Sequence, residues 1–351
     1  MAMDKFLSDL LASRSPTGTE TEAANVIEKY IKPCADSFSK DVLGNRIATY
    51  GKGKKTLMLA GHIDEIGFQV SYIDNDGFLS FYQLGGHDNV MISGRAVCIL
   101  TDNGIVRGVT GKRAVHLMDA KERKEVPETH QIWIDIGASS RAEAEKMVSV
   151  GDPIVYDTSV VEMPNGRYAS RAFDDKAGAY CIFETLRRLS KAKVKCDYKL
   201  VSVGTTQEEI GTRGAWTSSY AVNADAAIAV DVTHATDFPT CDCRKFGSIK
   251  LGAGVVISKG PNLNPVLTSR LIELAKKNNI PYQLEAEPRP TGTDARVIQT
   301  ARGGVPTGLL SIPLRYMHTP CEVADISDIK ACVDLLEAFA KSLKLKDDFS
   351  F

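Results

Sequence analysis

The sequence predicts an α/β fold: a mixed, largely parallel sheet flanked by helices and interrupted by a small all-β insertion. Three observations predict it. Amphipathic stretches with the helical period alternate with short apolar runs of strand length. Histidine and carboxylate residues stand where most of those runs end. From about residue 72 to 163 the alternation stops, and turn signals recur instead.

The elements follow in order. Phe6, Leu7, Leu10 and Leu11 lie at helical spacing near the N-terminus, and residues 21–31 form a second amphipathic stretch. An apolar run at 55–60 is the first expected strand, ending just before His62. In the insertion, Asp74-Asn75-Asp76-Gly77, Asp102-Asn103-Gly104 and Asn165-Gly166 are hairpin-type turns. Between them lie strand-like runs at 78–84, 95–100, 105–110, 131–136 and 153–156, and a short helical stretch at 140–148. The expected domains are 1–71 with 164–351, and 72–163. The second is spliced between His62 and Asp174, so its ends must lie close together. Beyond it, helices are expected at 176–189, 264–278 and 326–343, and strands at 199–203, 226–232 and 308–312. Asn264 and Pro265 supply the cap and first turn of the 264–278 helix.

Composition narrows the function classes. The chain has 351 residues, 43% hydrophobic and 25% charged, with net charge −1. There is no basic stripe for nucleic acid and no apolar run of about 18 residues to span a membrane. The N-terminus lacks the marks of a signal peptide, so cytoplasmic location is the expectation. None of the eight cysteines forms a zinc-type double pair, and Cys241-Asp-Cys243 is too close for one, so structural thiols are expected.

The chemistry lies in a scattered set: His62, Asp64, Asp174, Glu208, Glu209, Asp231 and His318. Each has an ordinary reading. A strand-end histidine is commonly structural, and an Asp-Asp pair is commonly a cap. Together, three expected strands deliver carboxylate or imidazole to one sheet edge, where ligands of open α/β sheets collect. Two imidazoles and several carboxylates suffice for two divalent ions with a water between them. Asp174 is the natural bridge. His62 and Asp231 complete one ion, and Glu209 and His318 the other. Glu208 stays free as general base and acid. Asp64, two residues from His62, can accept the far ring N–H and fix the tautomer.

The segments LAGHIDEIG, FDDKAG, QEEIGTRGA, AVDV, GTDA and MHTP, in this order over nearly the whole chain, resemble the tetrahedral and glutamyl aminopeptidases of metallopeptidase family 42. The resemblance implies a zinc-exopeptidase-like α/β domain holding two zinc or cobalt ions. It also implies an inserted β-barrel that mediates dimerisation, with dimers forming a tetrahedral dodecamer that admits short peptides. The ligands it implies are His62, Asp174, Glu209, Asp231 and His318, with Glu208 catalytic and Asp64 behind His62. It places Thr293 and Asp294 near substrate or a neighbouring subunit; a turn and helix cap is the alternative. His234 is a candidate for the pocket wall, with a structural role as the alternative. The family's Asp-Asp-Arg reads Asp174-Asp175-Lys176 here.

The expected function is therefore a dinuclear metal aminopeptidase acting on short peptides. A metal-dependent deacylase of N-acyl amino acids is the main alternative. A carboxylate-pair glycosidase fits less well, because such enzymes need no metal. A structural assembly with a vestigial site fits least, because every expected ligand and the base are present.

Overall fold

A computed structural model describes residues 2–350. Its backbone is one eight-stranded sheet with helices on both faces, a closed six-stranded barrel and a small three-stranded sheet. In spatial order the large sheet runs Ser37–Lys40, Arg46–Tyr50, Tyr198–Thr205, Lys55–His62, Ala226–His234, Thr307–Leu314, Val255–Lys259 and Tyr282–Ala286. The four central strands, from Tyr198–Thr205 to Thr307–Leu314, are mutually parallel. Their flanking strands, Arg46–Tyr50 and Val255–Lys259, join antiparallel.

The central strands read as unbroken apolar runs because both faces are covered. On one face, Lys5–Ala12, Thr21–Ile31, Phe173–Lys191, Pro265–Lys277 and Ile326–Ser342 bury Phe6, Ile27, Phe183, Leu271 and Phe339 against the sheet. On the other, a smaller core gathers Met58, Ala60, Val203, Ala229, Ala295 and Ile298. The helix starts follow capping chemistry. Asn264 accepts the Leu267 N–H at 2.8 Å, with Pro265 in the first turn, and Asp325 accepts the Ser327 N–H at 3.0 Å.

The barrel strands are Gly67–Ile73, Leu79–Leu84, Ala96–Thr101, Gly104–Gly111, Trp133–Asp135 and Pro153–Tyr156. They enclose a core of their own around Phe68, Phe81, Val97, Ile99, Ile134 and Ile154. Phe68 pairs with Ile154, so the two ends of the insertion meet at the barrel's base. The first barrel strand begins at Gly67, five positions after His62. The helical stretch expected at 140–148 is α-helix only over Arg141–Ala144; hydrogen-bonded turns carry it on to Val148, whose N–H donates to the Ala144 carbonyl at 2.9 Å.

Four main-sheet strands have no counterpart in the expected pattern: Ser37–Lys40, Arg46–Tyr50, Val255–Lys259 and Tyr282–Ala286. Three of them are partly exposed, with mixed polar sequence, and lack the continuous apolar run that marks a central strand. Among the described residues no helix is long and apolar enough to cross a membrane. All eight cysteines are free, and Cys98, Cys181 and Cys332 are buried.

Candidate active site at the carboxyl edge of the sheet

Parallel register brings distant residues level. Thr205 pairs with His62, and Ala229 with Ala60, so Asp231 arrives at the height of His62 and Glu208–Glu209 just beyond it. Asp174 enters from the first turn of Phe173–Lys191, and His318 from the loop after Thr307–Leu314. The helix lies very close to the His62 strand. A Cβ on Gly61 would sit 3.0 Å from backbone atoms of Gly178 and Ala179 and 3.2 Å from Asp175 Oδ2. Glycine at 61 therefore lets Asp174 and Asp175 reach the strand end.

Asp174 stands between the two imidazoles. Its Oδ1 is 3.1 Å from His62 Nε2, and its Oδ2 is 3.1 Å from His318 Nε2. Asp231 Oδ1 lies 3.9 Å from His62 Nε2, and Glu209 Oε1 lies 3.7 Å from His318 Nε2. One imidazole and one outer carboxylate thus stand on each flank of Asp174. Asp64 lies beside the far nitrogen of His62: Nδ1 is 3.1 Å from the Asp64 carbonyl and 3.5 Å from its carboxylate. The Asp64 carboxylate also accepts the backbone N–H groups of Glu208 and Glu209, at 3.1 and 3.2 Å.

Burial dominates the electrostatics. It pushes the carboxyls of Asp231, Glu209 and Glu208 up, to about 7, 8 and 10, with neighbouring carboxylates adding to the effect and His62 opposing it. Asp174 goes the other way. Burial opposes its ionisation, but hydrogen bonds from His318 and His62 hold its carboxyl well below the usual range. Against burial, bonding to Asp174 holds the His318 imidazole up at about 9.

The residues present fit divalent ions. Ligand atoms of His62, Asp174 and Glu209 lie within 4.8 Å of one another, as do those of His62, Asp175 and Asp231. Glu209 Oε1 is buried with no hydrogen-bond partner. Among the described residues, no lysine or arginine makes an ion pair with Asp174, Asp175, Asp231, Glu209 or Glu322. Buried carboxylates without cations are costly, and nitrogen-and-oxygen donors of this kind suit zinc-type ions. Glu208 belongs to neither group of convergent ligand atoms.

A cavity of about 450 Å³ opens over these residues; His62, Asp174, Glu208, Glu209, Asp231 and His318 all line it. Thr293 and His234 line it as well. Asp294 does not: it is buried beneath, accepting the Thr205 hydroxyl at 2.5 Å. It stands immediately before the buried Ala295 that opens the helix Ala295–Ile298, and its side chain is buried with it.

Sequence reasoning passed over several residues. Glu322 accepts the backbone N–H of Asp174 at 3.0 Å and of His318 at 2.9 Å, tying both to one buried carboxylate. Its signal was its place four residues after His318. Asp175, read only as half of a pair, accepts the His62 N–H at 3.1 Å. Gly86 brings the barrel to the cavity: a Cβ there would lie 3.4 Å from His318 Nδ1. Lys176, where the related motif has arginine, is fully buried, with Nζ 2.6 Å from the Ser13 carbonyl and 2.8 Å from Glu65.

Known proteins share this architecture and sequence. The sequence model of the M42 glutamyl aminopeptidase family matches residues 44–335. A lysyl aminopeptidase of Pyrococcus furiosus is 37% identical over 327 residues, covering 92% of each chain. The TET aminopeptidase of Thaumarchaeota archaeon SCGC AB-539-E09 superposes with a TM-score of 0.93 at 32% identity, over 97% of this chain and 96% of that one. The TET1 peptidase of Pyrococcus horikoshii, described as assembling into a tetrahedron or a large octahedral shell, superposes with a TM-score of 0.87. It is 29% identical, over 97% of this chain and 99% of that one. A family match of this length, on a chain that gathers its histidines and carboxylates at one sheet edge, leads to one conclusion: this hydrolase belongs to the M42 glutamyl aminopeptidase family and is an aminopeptidase.

Proposed function

We propose that the chain is a dinuclear metal aminopeptidase that removes N-terminal residues from short peptides. The observation that carries this is the Asp174 carboxylate, which offers one oxygen toward each of two imidazoles at 3.1 Å. His62 and Asp231 would hold one ion, Glu209 and His318 the other, with Asp174 shared. Zinc and cobalt are the ions this donor set suits best. When bound, two such ions supply positive charge that polarises a scissile carbonyl and acidifies water.

The rest falls to the chain's own residues. Glu208 takes a proton from the attacking water on its carboxylate and delivers it to the leaving amine. Its high intrinsic pKa of about 10 arises first from burial, and added positive charge would bring it down toward neutrality, where a base works best. Asp64 holds the loop: by accepting both backbone N–H groups it fixes where the two glutamates point. Asp174, Asp231 and Glu209 supply the negative charge that retains the ions. Thr293 and His234 shape the wall against which substrate rests.

The test is removal and restoration of metal. Chelation abolishes cleavage of aminoacyl anilides, and zinc or cobalt restores it. Full activity in protein shown metal-free by elemental analysis would sink the proposal.

The barrel, spanning Gly67 to Tyr156, is proposed as the contact between subunits. Leu117, Val126 and Val115 are exposed on it, and it places only Gly86 in the cavity wall. The tetrahedron described for the Pyrococcus horikoshii relative supports a dodecamer built from dimers. Light scattering that returns an active monomer of 38.1 kDa would overturn it.

A further inference from the structure

Outside the proposed metal centre, one wall of the cavity is formed by the edge strand Tyr282–Ala286 and the residue after it. Two glutamates, Glu285 and Glu287, line this wall. A two-residue spacing on extended backbone puts both side chains on one face. Glu285 is held in place by Thr233, whose hydroxyl donates to Oε1 at 2.8 Å. Thr233 lies two residues beyond Asp231 on the strand Ala226–His234, so the anchor of Glu285 continues the strand that carries a proposed ligand. Glu287 is fixed by its backbone, which donates to the Lys259 carbonyl at 2.8 Å.

Neither carboxylate has a cation partner: among the described residues, no lysine, arginine or histidine makes an ion pair with Glu285 or Glu287. Both are partly withdrawn from solvent, and burial raises both carboxyls. Among the described residues, Arg296 is the one lysine or arginine on the cavity wall, and it is exposed. Burial of its ring, with His318 adding to the effect, lowers the His234 pKa.

We propose that Glu285 and Glu287 form the subsite for the first side chain of the peptide, and that this enzyme prefers a basic N-terminal residue, lysine or arginine. The proposal rests on the aminopeptidase reading above. An N-terminal glutamate, the residue in the family's name, would add a third carboxylate to this wall, and like charges repel. A purely apolar side chain would dehydrate two carboxylates and satisfy neither. A lysine ammonium or an arginine fork would donate to both.

The experiment uses metal-loaded enzyme and anilides of lysine, arginine, norleucine and glutamate. Norleucine matches the lysine stem without its charge, so the lysine-to-norleucine ratio of kcat/KM isolates the charge. That ratio is expected at roughly 10–100, the range of a hydrogen bond to a charged group, with glutamate the poorest substrate. Glu285→Gln and Glu287→Gln should each lower the ratio by about 3–10-fold, and the double variant should lower it further. A wild-type ratio near one, or variants that slow lysine and norleucine alike, would overturn the proposal. Cleavage of norleucine without a lysine preference would remove this subsite assignment and leave the aminopeptidase reading standing. Failure to cleave any of the four would remove both.

Discussion

Two buried carboxylate clusters begin on consecutive residues, Asp64 and Glu65, and their charge balance is opposite. Glu65 accepts from the Arg171 guanidinium, from Lys176 Nζ at 2.8 Å and from the Ser15 backbone N–H at 2.9 Å. Burial alone would push the Glu65 carboxyl up; the two cations overcome it and hold the carboxyl at about 2. On the Asp64 side, Asp175, Asp231 and Glu322 are as deeply placed and Glu208 and Glu209 are half-buried, yet among the described residues the only ion-pair partners of this cluster are the two histidines. Their carboxyls rise instead of falling. A buried carboxylate matched by protein cations pins the chain. One left unmatched marks where an outside charge belongs. Burial, which the two clusters share, does not separate structure from function; the balance of charge does.

The sharpest way to test that contrast is within the unmatched cluster. Glu208→Gln should keep both metal ions and lose roughly 10²–10⁴-fold in kcat, the usual range for a general acid–base group. Glu209→Gln should lose one ion per subunit. Elemental analysis alongside kcat decides it, and equal metal loss in the two variants would reverse the roles assigned here.

The matched cluster should fail differently. Glu65→Gln strands Arg171 and Lys176 in the interior. It should cost about 3–5 kcal/mol of stability, as breaking a buried ion pair does. The folded fraction should keep its metal. A urea midpoint equal to that of wild type would show that the triad is not what holds the Ser13–Ser15 segment to the sheet.

A third way of burying a titratable group extends the comparison to the barrel. His87 stacks on Phe68 with centroids 4.3 Å apart, and its Nε2 lies 2.8 Å from the Gly67 carbonyl. Burial lowers its pKa to about 4, so it is folded in neutral form. The unfolded chain takes up this proton near pH 6.5, and the folded one only near 4. Stability should therefore be complete above about 6.5 and fall as pH drops toward 4, by up to about 3 kcal/mol. Subtracting the pH profile of His87→Gln from that of wild type isolates the effect; a flat difference between pH 6.5 and 4 would refute it.

The parts legible in the sequence were those with strong local patterns. Central strands announce themselves as apolar runs covered on both faces, and the long helices by stripe and cap, as at Asn264. His62, Asp231 and Glu208–Glu209 could be placed on one edge because strand ends and parallel order suffice for that. What was not legible depended on tertiary neighbours. The edge strand Tyr282–Ala286 alternates polar and apolar residues on a half-exposed surface, so no local pattern singled out Glu285 or the following Glu287. Glu322 gains its meaning only when Glu322–Asp325 pairs with Arg167–Ser170 and swings it beside Asp174. Lys176 read as a mild departure from a motif, and only burial beside Glu65 shows it as half of a charge balance.

Asp174 and its two imidazoles also bear on the order in which the chain is made. His62 comes 112 positions before Asp174, and His318 lies near the far end of the chain. A ribosome that has reached residue 300 has produced the first imidazole and the shared carboxylate, but neither the second imidazole nor Glu322. A nascent or truncated chain of this protein thus lacks His318, one of the two imidazoles that flank Asp174, until the last few dozen residues are added.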